Sequence, residues 1–96
     1  MIEIADNRDK SRYEVHVDGA LAGFTQYRRH EGVIDFIHTE IDDAHEGQGL
    51  GGRLARGALD DVRARGLAVV ATCPFIRGWI DKHPDYHDLL ASARGA

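Results

Sequence analysis

Apolar and polar positions alternate early in the chain. Between residues 12 and 17, Tyr13, Val15 and Val17 alternate with Arg12, Glu14 and His16, the two-residue period of a strand with one buried face. Asp18-Gly19 follows, and both residue types tolerate the positive φ of a two-residue hairpin turn. The return strand over residues 20–28 carries Phe24 and Tyr27, and a turn over 29–32 leads into a third strand over 33–41. Residues 1–11 are mostly polar and read as a short lead-in, with Ile2 and Ile4 the residues that would pair if it forms a strand.

Later the period changes. Leu50, Leu54, Ala55, Ala58, Leu59 and Val62 recur at three- and four-residue spacing, with Arg53, Arg56, Asp60, Asp61 and Arg63 on the other side, so an amphipathic helix packs on the sheet. Arg63 and Arg65 suit its negative end, and Gly66 is placed as a left-handed cap. Residues 67–72, Leu-Ala-Val-Val-Ala-Thr, form a continuous apolar run, as in a strand buried on both faces. Strand, turn, helix and strand predict a right-handed βαβ crossover that sets this strand parallel to, and close to, the one over 33–41. Pro74 suits the first position of a helix running to about Lys82, and His83-Pro84 ends it. The predicted class is α+β, an antiparallel meander continuing into one βαβ unit.

Composition narrows the field. The 96 residues make room for a single domain over 1–96. A net charge of −4 disfavours general affinity for nucleic-acid phosphates or an anionic membrane, and favours a cationic amine. One cysteine excludes an internal disulfide and fits a reducing cytoplasm. No apolar run approaches the roughly 18 residues of a membrane span, and the first residues lack the basic and apolar regions of a signal peptide.

The chemistry gathers at Glu46-Gly47-Gln48-Gly49-Leu50-Gly51-Gly52-Arg53, between the third strand and the long helix. Glycines here admit positive φ and bring N–H groups close to a ligand, and the helix start adds unpaired N–H groups, so a phosphate or pyrophosphate is the natural guest. A P-loop reading fails because Arg53 and Leu54 stand where Lys and Ser/Thr are needed. A dinucleotide fingerprint matches literally but lacks the carboxylate at the end of the next strand, which reads Ala71-Thr72-Cys73. The third reading is the acyl-coenzyme A turn of the GNAT superfamily of N-acetyltransferases. Glu46-x-x-Gly49-x-Gly51 resembles its Arg/Gln-x-x-Gly-x-Gly/Ala pattern, departing at the first position.

Two further motifs and the tail extend the resemblance over residues 13–90. His38-Thr39-Glu40 before the turn, Cys73-Pro74-Phe75 after the later strand, and the ending from Lys82 to Leu90 are similar to the short single-domain branch of that superfamily. The resemblance implies a minimal GNAT-like fold that binds acetyl-coenzyme A as co-substrate, through Ile41, Asp43, Gly47, Gln48, Gly49, Leu50, Gly51, Gly52 and Arg53, with no metal. The pantetheine arm would lie in a V between the two strands that flank the helix, with the thioester near residues 40–42 and 71–73. It also implies acetyl transfer to a small or protein amine. The helices that shape the acceptor site in larger members are replaced here by Asp18-Gly19. Glu46 is expected to face solvent, with Arg53 as the compensating cation.

Cys73, His38 and Glu40 are the catalytic candidates, and each has a plain alternative. Cys73 is either a nucleophile at the cap of the Pro74 helix or a small buried residue. His38 and Glu40 share one strand face, opposite Thr39 and Ile41. His38 is either a base for an amine or thiol, or a histidine satisfied by its neighbours. Tyr86 is a candidate acid for a leaving thiolate, with an anchoring aromatic the stronger reading. Cys73, His83 and His87 have zinc-ligand chemistry, but a fourth ligand is missing and Pro84 interrupts the helix. Direct transfer and a Cys73-acetyl route both stay open, as do two rival classes: a non-catalytic acyl-coenzyme A binding or sensing module, and a protein-interaction domain.

Overall fold

The computed structural model describes residues 1–45 and 47–94. Glu46, expected to face solvent, lies outside the described residues. The chain forms one five-stranded sheet whose spatial order follows the sequence. The strands are β1 (Ile2–Asn7), β2 (Arg12–Val17), β3 (Ala20–His30), β4 (Val33–Ile41) and β5 (Ala68–Ala71). The helices are α1 (Leu50–Ala64) and α2 (Pro74–Asp81), followed by 3-10 turns over Pro84–Leu89 and Ala91–Arg94. The first four strands pair antiparallel in succession, and β5 lies parallel beside β4. This is the α+β meander with a βαβ unit that the hydrophobic periods predict.

The predicted turns have the expected backbone. Asp18 and Gly19 both take positive φ, 50° and 86°, and close the β2–β3 hairpin. Gly66 takes φ 71°, with its N–H on the Arg63 carbonyl and the Leu67 N–H on that of Val62. That pair of bonds satisfies the last carbonyls of α1.

The lead-in is more ordered than its polarity suggests. β1 is a full six-residue strand, held because Ile4 packs into the notch left by Gly57 on α1 and because Tyr27 Oη donates to Asp6 Oδ1 at 2.6 Å. Its Asn7 side chain then accepts the Lys10 N–H and caps a short 3-10 turn.

One face of the sheet packs on the helices around Phe36, Ile34, Leu54, Leu59, Ile76, Ile80 and Leu89, all fully buried. The opposite face is polar, yet Glu14 on it is buried. Arg12 Nε, His16 Nε2 and Asn7 Nδ2 surround its carboxylate at 2.7, 2.9 and 3.0 Å. Burial pushes this carboxyl up, but the hydrogen bonds from His16, Arg12 and Asn7 prevail and lower its pKa to about 2.

Candidate active site

The candidate site forms where β4 outlasts β5. Pairing between the two stops at Phe36 and Ala71, and the chain then turns into α2, with the Cys73 N–H on the Phe36 carbonyl at 2.8 Å. β4 continues to Ile41 while paired only with β3. Its other edge over residues 37–41 therefore has no strand partner among the described residues. At the usual rise this is about 13 Å of open backbone edge, and it leads directly toward the glycine turn. A register shift at the start of this stretch, Tyr27 opposite Phe36 but Gln26 opposite His38, makes Ile37 the extra residue of a β-bulge.

The glycine turn supplies the other end of the slot. Gly47 and Gly49 take φ 81° and 71°, a region that side-chain-bearing residues enter only with strain. Gly49 is the N-cap of α1, so Leu50, Gly51 and Gly52 form its first turn. Their N–H groups precede the first intrahelical bond, which Arg53 makes to the Gly49 carbonyl. The ring of Phe75 fills the space beside Gly51, 2.8 Å from where a Cβ would stand. Just ahead of the turn, buried His45 Nδ1 has no hydrogen-bond partner among the described residues. An open strand edge and a glycine cradle on a fifteen-residue helix together can receive an extended ligand with an anionic group at one end.

Of the catalytic candidates, the structure unites some and separates others. Cys73 is the N-cap of α2, as its position before Pro74 predicts, and is only 3% exposed. Its Sγ lies 3.3 Å from Thr39 Oγ1, and Thr39 in turn donates to buried Thr25 at 2.9 Å. His38 and Glu40 flank Thr39 on β4 and so present to the other face of the sheet. There His38 Nε2 lies 3.4 Å from Glu40 Oε1, and the His38 ring packs edge-on to Phe24 at 6.3 Å. Cys73 and His38 thus approach the slot from opposite sides of the sheet and form no pair. Beside Glu40, a cleft of about 450 Å³ is lined by Leu21 to Phe24 and by Ile41, Asp42 and Asp43.

Tyr86 is an anchor. It is buried, donates to Asp60 Oδ1 at 2.6 Å and receives Arg56 Nη1 at 3.2 Å. Burial and the bond to Asp60 raise its pKa. Asp60 lies ten positions along α1 from Leu50, about 15 Å from the first turn. His83 stacks on Trp79 at 3.8 Å, with its Nδ1 2.6 Å from the Trp79 carbonyl oxygen. Among the described residues, no three Cys, His, Asp or Glu side chains converge on a common point.

The partners that α2 brings to the cradle carry no local signal in the sequence. Phe75 and Trp79 are four residues apart, so they share one face of α2, and that face meets Gly51 and Gly52. The spacing was visible, but which helix it would meet was not. Thr39 stands in the sequence only as the middle of its motif, and Thr25 carries no signal at all, because the register that pairs the two joins separate strands.

Known proteins give the same fold. A solution structure of a GCN5-like protein from Staphylococcus aureus superposes with TM-score 0.70 at 23% identity, covering 92% of this chain and 86% of that one. N-acetylglutamate synthase from Neisseria gonorrhoeae, in complex with coenzyme A and N-acetyl-glutamate, superposes with TM-score 0.59 at 17% identity, covering 84% of this chain and 21% of that one. Protein NATD1 from Gallus gallus is 28% identical over 85 residues, which is 86% of this chain and 77% of that protein. A sequence model of the GCN5-related N-acetyl-transferase family matches residues 12–89, and with these strands, this turn and this helix the chain belongs to that family.

Proposed function

We propose that the chain is an acetyltransferase that uses acetyl-coenzyme A to acetylate an amine. The observation that carries this reading is the open β4 edge over residues 37–41 leading into the Gly47–Gly52 cradle. An extended arm with amide groups can pair along such an edge as an added strand would, while the pyrophosphate takes the N–H groups of the turn and the first helical turn. Residues Ile41, Asp43, Gly47, Gln48, Gly49, Leu50, Gly51, Gly52 and Arg53 would hold the coenzyme A as a whole, with its pyrophosphate on Gly47 to Gly52. Coenzyme A in complex with the Neisseria synthase of the same fold supports the assignment.

When bound, acetyl-coenzyme A would supply an activated acyl carbon to an amine nitrogen, the carbon–sulfur bond breaking as the carbon–nitrogen bond forms and the coenzyme A thiolate leaving to take up a proton. The backbone N–H groups beside the Ile37 bulge, and not those of residues 40–42 as the resemblance implies, would polarise the acyl oxygen, because Ala71 at the end of β5 stands opposite Phe36. His38, with Glu40 beside it, would take the ammonium proton before attack. Glu40, next to His38, gives this part of the strand a negative potential suited to a protonated amine. The burial of Cys73 and its contact with Thr39 favour direct transfer over prior acetylation of the thiol. A second reading, a non-catalytic acyl-coenzyme A sensor, rests on the two-residue Asp18-Gly19 hairpin that stands where acceptor-site helices occur in larger relatives.

Calorimetric titration with acetyl-coenzyme A, followed by mass spectrometry of a panel of amines and lysine peptides, tests the proposal. Binding with acetylated product supports the enzyme. Binding without product across the panel supports the sensor, and no binding at millimolar ligand sinks both.

A further inference from the structure

Trp79 is partly buried at the edge of the core and held on several sides. The His83 ring lies parallel to its indole at 3.8 Å and 12°, and the His83–Trp79 carbonyl contact at 2.6 Å fixes that stack. The Arg56 guanidinium stands over the indole at 5.3 Å from its centroid, and the Tyr86 ring meets it edge-on at 5.0 Å. With aromatic and cationic groups gathered round the ring, its polar handle, the Nε1–H, is the part left to act. That N–H has no hydrogen-bond acceptor among the described residues. It lies 3.7 Å from the point where a Cβ on Gly52 would stand, beside the first turn of α1. Gly52 keeps that approach clear of any side chain.

We infer that Trp79 is a phosphate-binding residue: its indole N–H completes the cradle of Gly47 to Gly52 as a side-chain donor to the pyrophosphate of coenzyme A. The inference rests on the reading that coenzyme A binds at this turn. A rigid neutral donor suits the place, since an indole always donates and never accepts, and the stack leaves little rotamer freedom to lose on binding. The arrangement also gives α2 a part in the site. Its Phe75 closes the space at Gly51 while Trp79, one turn later, supplies the donor at Gly52.

The chain has one tryptophan, so one indole N–H resonance reports on this contact in the unaltered protein. Saturating coenzyme A is expected to shift that resonance, whereas pantetheine, which has the arm but no pyrophosphate, leaves it in place. Trp79→Phe keeps an aromatic ring and removes the donor. It is expected to weaken coenzyme A binding about tenfold, as loss of a hydrogen bond to a charged group does, with pantetheine binding unchanged. Calorimetric binding of coenzyme A by the unaltered protein with an unmoved indole resonance overturns the inference while the acyl-coenzyme A reading stands, even if Trp79→Phe fails to fold. Absence of any coenzyme A binding overturns both.

Discussion

Ile4 of β1 occupies the space of the side chain that Gly57 of α1 lacks: a Cβ there would stand 2.8 Å from Ile4 Cγ1 and 3.0 Å from its Cβ and Cγ2. The atoms in the way include the one nearest the backbone, so a rotamer change cannot clear them all. Gly57→Ala gains about 1 kcal/mol of helix propensity, while overpacking costs about 1–3 kcal/mol. The expected net is a loss of roughly 1 kcal/mol and a fall in Tm of about 5 °C, read by thermal unfolding. An increase in Tm would show that β1 shifts freely on the helix.

The carboxylate of Glu14 links stability to acid. Its pKa of about 2 lies below the ordinary 4.5, so its contribution is complete above pH 4.5 and is lost as pH falls from there toward 2. The shift corresponds to a contribution on the order of 3 kcal/mol. Urea unfolding at stepped pH is expected to show this decline, and Glu14→Gln to flatten it while lowering stability at neutral pH.

Gly49 tests the cradle. With φ 71° at the N-cap of α1, Gly49→Val carries strain of about 1–3 kcal/mol and reorients the N–H groups of the turn. Loss of acetyl-coenzyme A binding in a protein that stays folded by circular dichroism is the expected result. Unchanged affinity would mean that the turn is not where the pyrophosphate lies.

Salt separates fixed dipoles from mobile cations. Arg53 is exposed in α1, whereas the cradle consists mainly of backbone N–H groups. Raising salt from 0.1 to 0.5 M is expected to weaken acetyl-coenzyme A by only a few-fold. A steep dependence that Arg53→Gln abolishes would assign the binding to the side chain instead.

Cys73 decides between the two chemical routes. Because it is 3% exposed and in contact with Thr39, it is expected to react with an alkylating reagent more slowly than a free thiol. Cys73→Ala should keep both acetyl-coenzyme A binding and, on the direct route, transfer to within about tenfold. An acetyl group found on Cys73 by mass spectrometry, with activity lost in Cys73→Ala, would establish the covalent route.

Much of this architecture was legible before any coordinates. Tyr13, Val15 and Val17 set the strand period, Leu50 to Val62 the helix, and Asp18-Gly19 and Gly66 the turns, because each signal acts within a few residues. β1 was obscured since what holds it is remote: Ile4 on Gly57, and Asp6 receiving Tyr27. The candidate site divides in the same way. The glycine turn and the cap position of Cys73 follow from adjacent residues, and the separation of His38 from Thr39 follows from strand alternation. The Thr25–Thr39–Cys73 chain and the placement of Phe75 and Trp79 on the first turn of α1 depend on how separate elements dock, and no local pattern encodes that.

The order of strands in the sheet has a kinetic consequence. Four strands in sequence order need only short loop closures, so the meander is made of local contacts that form early, whereas the parallel join of β4 to β5 must wait for α1 to cross between them. The slot and the cradle lie at that join, and are therefore expected to be completed late in folding. A ligand seated there would hold the late-docking segment in place and add RT ln(1 + [L]/Kd) to the whole fold. It would do so chiefly by slowing unfolding rather than by hastening folding.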